Sequence, residues 1–149
     1  MSASAPYLMQ TDAGRDSWEY VFDSSRRARG FALYAALRSL GRDGVRDLIE
    51  RCCALARQMA ERLAAVEGVT ILNDVVLNQV LVRFDDDDER TRAVIASVQR
   101  DGTCWLGGTT WQGRAAMRVS VSNWSTREAD IDRSADGIIR ALEATRAEA

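Results

Sequence analysis

The chain has 149 residues, 46% hydrophobic and 28% charged, enough apolar side chains for the core of one soluble globular domain. A net charge of −2 lacks the basic excess that nucleic acid or an anionic membrane surface demands, so neither is an expected partner. Histidine is absent and all 20 basic residues are arginine. The chain therefore lacks the imidazole that is the usual base near neutral pH and the commonest metal ligand, and has no lysine amine that could form a Schiff base with a carbonyl cofactor.

Residues 1–23 hold the single proline, Pro6, and little periodicity, so an extended N-terminal arm is expected there. They show no secretory signal pattern, and no apolar run approaches membrane-spanning length, so the cytoplasm is the expected compartment. Ser24 or Ser25 is placed to cap a helix that runs to about Leu40, with Gly41 as its stop. A second helix opens at Asp43 or Gly44 and ends at Gly68. Val45, Leu48, Ile49, Cys52, Leu55, Met59 and Leu63 trace its apolar stripe. Cys52, Cys53 and Cys104 lack CxxC spacing and read as small core residues.

From Thr70 the period changes to two. A short strand over 70–72 precedes a longer one over 78–84, which sets Val80, Val82 and Phe84 on one face and Gln79, Leu81 and Arg83 on the other. The acidic run 85–88 lacks the alternate ligand spacing of a calcium loop and is better placed to cap a helix over 89–100. Residues 103–113, TCWLGGTTWQG, have neither the lysine nor the following helix of a phosphate-binding loop, and strand signals flank them, so a wide hairpin is expected. A strand over 116–123 follows. Ser125 and Glu128 then have the spacing of a capping box for a last helix with Ile131, Ile138, Ile139 and Leu142 inward.

This order predicts a two-layer α+β domain, a small antiparallel or mixed sheet with helices on one face. Met117, Val119 and Val121 match the inward set of the 78–84 strand, leaving Arg118, Ser120 and Ser122 on the opposite face. An arginine there is either a solvated strand residue or a rigid fork suited to a carboxylate. Trp105, Trp111 and Trp124 near the same strands either complete the core or mark an interface.

Three segments, SSRRARGFALYAALRSLG (24–41), LNQVLVRF (77–84) and AAMRVSVSNWSTREADID (115–132), together resemble the C-terminal small domain of group II pyridoxal-phosphate-dependent amino-acid decarboxylases. The resemblance spans about residues 5–145. It implies the small domain of a fold-type I enzyme over 24–149, working with an upstream large domain that binds pyridoxal phosphate, in a homodimer acting on an amino-acid substrate. No cofactor is expected on this chain alone, because the family's Schiff-base lysine has no counterpart here. The chain thus resembles one portion of a carboxy-lyase, inactive by itself. The resemblance places Arg118 where the family carries an arginine that meets a substrate carboxylate, and makes Gln79 and Trp111 candidates for lining the cleft. Arg26, Arg27 and Arg29 match a basic cluster opening the first small-domain helix, where solvation or ion pairing is the simpler role. Two other readings stand beside this one. One is a stand-alone α+β binding or assembly module derived from that domain; the other is a domain of a related enzyme such as an aminotransferase.

Overall fold

The computed structural model describes residues 27–148, so the 1–23 arm, the Ser24 or Ser25 cap and Arg26 lie outside the described residues. The first helix, α1, is Arg29–Ala64, broken at Gly41, where φ is 64° and ψ is −174°. That backbone conformation is open to glycine and strained for other residues, so the helical period is interrupted where the sequence predicted a stop. The chain divides at this point into two compact units, Leu40 ending the first and Gly41 opening the second. Within the first unit, Phe31, Leu33, Tyr34, Leu37 and Leu40 are all exposed.

In the second unit the α1 stripe is buried only from Cys52 onward; Ile49 is exposed, and Val45 and Leu48 are half-buried. Cys52 and Cys53 both lie in the interior as small apolar residues. Four strands follow, β1 (Val69–Ile71), β2 (Gln79–Phe84), β3 (Gly107–Trp111) and β4 (Arg114–Ser120), in the spatial order β1-β2-β4-β3. Every pairing is antiparallel, which resolves the antiparallel-or-mixed alternative. Helix α2 (Asp88–Asp101) packs on β2 and β4 and against α3 (Glu128–Ala147). Val80, Val82 and Phe84 face this helical layer and are fully buried. Across the ladder, Met117 stands opposite Val82 and Val119 opposite Val80, so the inward sets of both strands meet in one core with Met59, Leu63, Val94, Val98, Ile138 and Leu142. The α+β two-layer arrangement predicted from the sequence is the one observed.

The acidic run does cap α2. Asp87 is its N-cap, and its carboxylate accepts the Arg90 backbone N–H at 2.5 Å. Two local expectations are corrected. The hairpin expected over the glycine-rich stretch is present but tight rather than wide: residues 107–111 are strand, and it closes in two residues, Gln112 (φ 48°) and Gly113 (φ 79°). Two consecutive positive φ values make the tight turn whose twist suits antiparallel strands. The cap of α3 is Arg127 rather than Ser125. Asp130 accepts the Arg127 backbone N–H at 3.0 Å, while the Ser125 hydroxyl turns to Asn123. On the face away from the helices, Leu81 and Arg83 are buried as well.

Candidate functional site

Register places the outer face of the sheet in rungs. Gln79 of β2 stands opposite Ser120 of β4, Leu81 opposite Arg118, and Arg118 is flanked on its other side by Gly107 of β3. Further along, Ala116 pairs with Thr109, and Arg114 with Trp111. Since alternate residues share a face, Arg118, Gln79 and Trp111 all lie on it. Gln79 is one rung from Arg118, within reach of a long side chain. Trp111 sits opposite a residue four positions from Arg118, about 13 Å along the strand, so the structure separates it from the arginine.

The three arginines of this face differ in their partners. Arg83, only 6% exposed, is enclosed by acids from the turn after β2 and the first residue of α2. Its Nε donates to Asp86 Oδ1 at 2.7 Å, its Nη2 to the Asp86 carbonyl at 2.8 Å, and its Nη1 to Asp88 Oδ1 at 2.5 Å and the Ala115 carbonyl at 3.0 Å. Asp88 Oδ1 also accepts the Ala115 backbone N–H at 3.0 Å. The Arg83–Asp88 pair therefore takes both backbone groups of Ala115, extending the β2–β4 ladder past its last rung, Val82–Met117, with side chains in place of a backbone. This explains the burial of Arg83. The hydrogen bond from Arg83, then that from the Ala115 amide, hold the Asp88 carboxyl below the usual carboxylate range. Arg114 lies 3.7 Å from Asp86. Arg118 is exposed, and no described residue supplies it with a carboxylate or a hydrogen-bond acceptor.

The signal for this cluster was present in RFDDDD (83–88), where an arginine on a strand precedes four aspartates in a turn. Helix capping accounts for Asp87 alone. Asp85 leaves the cluster for Arg146 of α3, whose guanidinium holds its carboxyl well below the usual range. Arg27 and Arg29 of the basic cluster are exposed.

Elsewhere, a cleft of about 380 Å³ between the end of β4 and α3 is lined by Ser120, Ser122, Asn123, Ser134, Cys104 and Trp105 among others, without a charged side chain. Burial pushes the Cys104 thiol up, so it stays protonated at neutral pH and does not offer a thiolate. Trp105 and Trp124 are 82% and 77% exposed, so these tryptophans do not complete the core. Among the described residues no cluster of acidic, cysteine or histidine side chains could hold a metal ion, and no helix is long and apolar enough to cross a membrane.

The fold is that of the corresponding portion of pyridoxal-phosphate decarboxylases. A rice TDC with PLP and tryptamine superposes with a TM-score of 0.76 at 18% identity, covering 87% of this chain and 30% of that one. Tryptophan decarboxylase from Catharanthus roseus gives 0.73 at 20% identity, covering 83% of this chain and 28% of that one. Mouse CSAD gives 0.73 at 19% identity, covering 89% and 32%. At such identities the likeness concerns the fold alone. The family itself is shown by sequence: the model of the pyridoxal-dependent decarboxylase conserved domain matches residues 1–85, more than half of the chain, and the chain belongs to that family. It is also 32% identical over 81 residues to the L-aspartate decarboxylase of Thermococcus kodakarensis, a match covering 54% of this chain and 20% of that protein. The chain thus spans between a fifth and a third of the relatives it matches. Arg118 lies beyond the residues that the family model matches.

Proposed function

We propose that this chain supplies the small domain of a pyridoxal-phosphate-dependent amino-acid decarboxylase, and that Arg118 holds a substrate carboxylate there. The observation that carries this reading is the contrast on the outer face. Arg83 and Arg114 are matched by Asp86 and Asp88, whereas Arg118, on a rigid central strand, is exposed with no acid beside it among the described residues. A guanidinium presents a planar fork of donors, and a strand restrains it better than a loop would. Held on the α-carboxylate, the fork orients the bond that breaks on loss of carbon dioxide. Held on a second carboxylate, it selects the substrate. Gln79, one rung away, offers an amide to the same ligand; Trp111 borders the far end of the face.

The chain's own residues do not fit attachment of pyridoxal phosphate, for it contains no lysine. The cofactor, which takes up the electron pair of the broken bond in this class of reaction, belongs to a separate large domain. Uncovered apolar side chains are consistent with such a partner. They include Phe31, Leu33, Tyr34 and Leu37 in the first unit, and Ile49, Leu77, Trp105 and Trp124 in the second. In this reading 24–149 is the small domain, 1–23 is an arm leading into it, the assembled enzyme is a homodimer of the cytoplasm, and the isolated chain is inactive. Membership of a decarboxylase family favours a carboxy-lyase over the aminotransferase and free-standing-module alternatives.

The test is complementation. The chain is co-expressed with a cofactor-loaded large domain of the Thermococcus L-aspartate decarboxylase cut free of its own small domain. Release of carbon dioxide from L-aspartate only when both pieces are present supports the reading. Stable association of the two pieces without turnover would defeat it.

A further inference from the structure

Gly107 is the cross-strand neighbour of Arg118 on β3, and nothing in its local structure calls for a glycine. Its φ is not among the positive values of the described residues, so no left-handed turn requires it. Apart from Gly107 itself and its two chain neighbours, no described residue has an atom within 4 Å of the point where a Cβ would sit, so no packed neighbour forbids a side chain. Gly108, one position on and facing the helices, differs: a Cβ there would touch Ile95 Cδ1 at 3.6 Å. Glycine is disfavoured in strands because it gives up backbone entropy and packs nothing, and one recognised reason to find it there is close approach of a ligand.

The surroundings show what that space adjoins. Along β4, Arg118 is bracketed on its own face by Ala116 and Ser120, both small; across β2 stands the apolar side chain of Leu81. Directly across from Arg118, at Gly107, the β3 side of this face is bare backbone. A residue with even a short branched side chain at 107 would occupy the space beside the fork.

The geometry points to Gly107 as a specificity-determining residue of the Arg118 site. Its missing side chain is the berth for the atoms attached to the bound carboxylate. The ligand class that fits is a carboxylic acid with a slim, unbranched stem, lying on the Gly107 backbone beside the Arg118 fork. This rests on the reading of Arg118 as a carboxylate grip.

The two ideas separate in one titration of the full chain. L-aspartate, the substrate named for the curated relative, is the probe, and the Arg118 Nε–H resonance and the amide resonances of β3 and β4 are followed by NMR. The wild-type chain is expected to show saturable shifts centred on Arg118 and Gly107, and Arg118→Gln to abolish them. Gly107→Val is expected to weaken binding by about tenfold or more, because a branched side chain overpacks the berth, and Gly107→Ala by less. The melting temperature of Gly107→Val should not fall, since a β-branched residue suits an uncrowded strand position. Should that variant melt early, Gly107→Ala carries the comparison. Wild-type affinity in the Gly107 variants, with binding lost in Arg118→Gln, overturns the berth and leaves the arginine grip standing. Absence of wild-type binding, or binding that survives Arg118→Gln, overturns the grip and the berth together.

Discussion

Met117 and Arg118 are neighbours on β4 with opposite surroundings, and replacing each by alanine separates the two faces of the sheet. Met117 is 0% exposed, opposite Val82 in the ladder and within the core shared by the three helices. Truncation to alanine removes three heavy atoms, each comparable to a methylene at about 0.8 kcal/mol, or about 2.4 kcal/mol of transfer free energy. The sheet backbone cannot close the space, so a cavity contribution adds to this, and the expected loss lies in the upper part of the range of about 2–5 kcal/mol for such changes. Since domains of this size are stable by only about 5–15 kcal/mol, the loss should be plain in a urea melt followed by circular dichroism. Arg118→Ala, by contrast, should stay within about 0.5 kcal/mol of the parent. Comparable losses in the two variants, or a smaller one at Met117, would mean that β4 does not present Arg118 outward, and the site built on that register would fall with it.

Asp87→Ala deletes the N-cap of α2 and should lower stability by about 0.5–2 kcal/mol; an unchanged urea midpoint would contradict the cap. Gln112→Asn should raise the midpoint slightly, because asparagine before Gly113 suits the positive φ at both turn positions, whereas a drop would argue against this turn. The native carboxyls of Asp85 and Asp88 are held low by Arg146 and Arg83. A depressed native pKa stabilises the fold above the ordinary carboxylate value of 3.8 and loses that stabilisation as pH falls through the lower native values. Stability should therefore be insensitive to these two groups near neutrality and decline below about pH 4, and Asp85→Asn should reduce that decline. An acid limb of the same steepness in the variant would refute the pairing.

The alternation of VLVRF and AAMRVSV was enough to read the β2 and β4 faces and the outward position of Arg118, because the period of two is imposed by the backbone itself. Helix segments were legible for the same kind of reason, their apolar stripes being local. What escaped was decided by groups distant in sequence or by competition between nearby caps. The burial of Arg83 was not legible, because its position on the strand says nothing of the turn that brings Asp86 and Asp88 back over it, nor of Ala115, 32 residues away, whose carbonyl it binds. The α3 cap moved from Ser125 to Arg127 because Asn123 captured the serine and Asp130 served the backbone N–H instead. The hairpin looked wide because glycine and tryptophan obscured a strand in which Gly107 leaves open space where a side chain would sit. That same glycine is the part of the site no sequence pattern announced, since its meaning depends on standing across from Arg118.

The most direct test of the account is steady-state decarboxylation by the complemented enzyme with Arg118 or with Arg118→Gln. Losing one partner of a hydrogen-bonded charge pair costs about 2–5 kcal/mol, so kcat/KM should drop by roughly thirtyfold to several thousandfold while the melting temperature holds. Kinetics indistinguishable from those of the parent would return Arg118 to the role of an ordinary solvated strand residue.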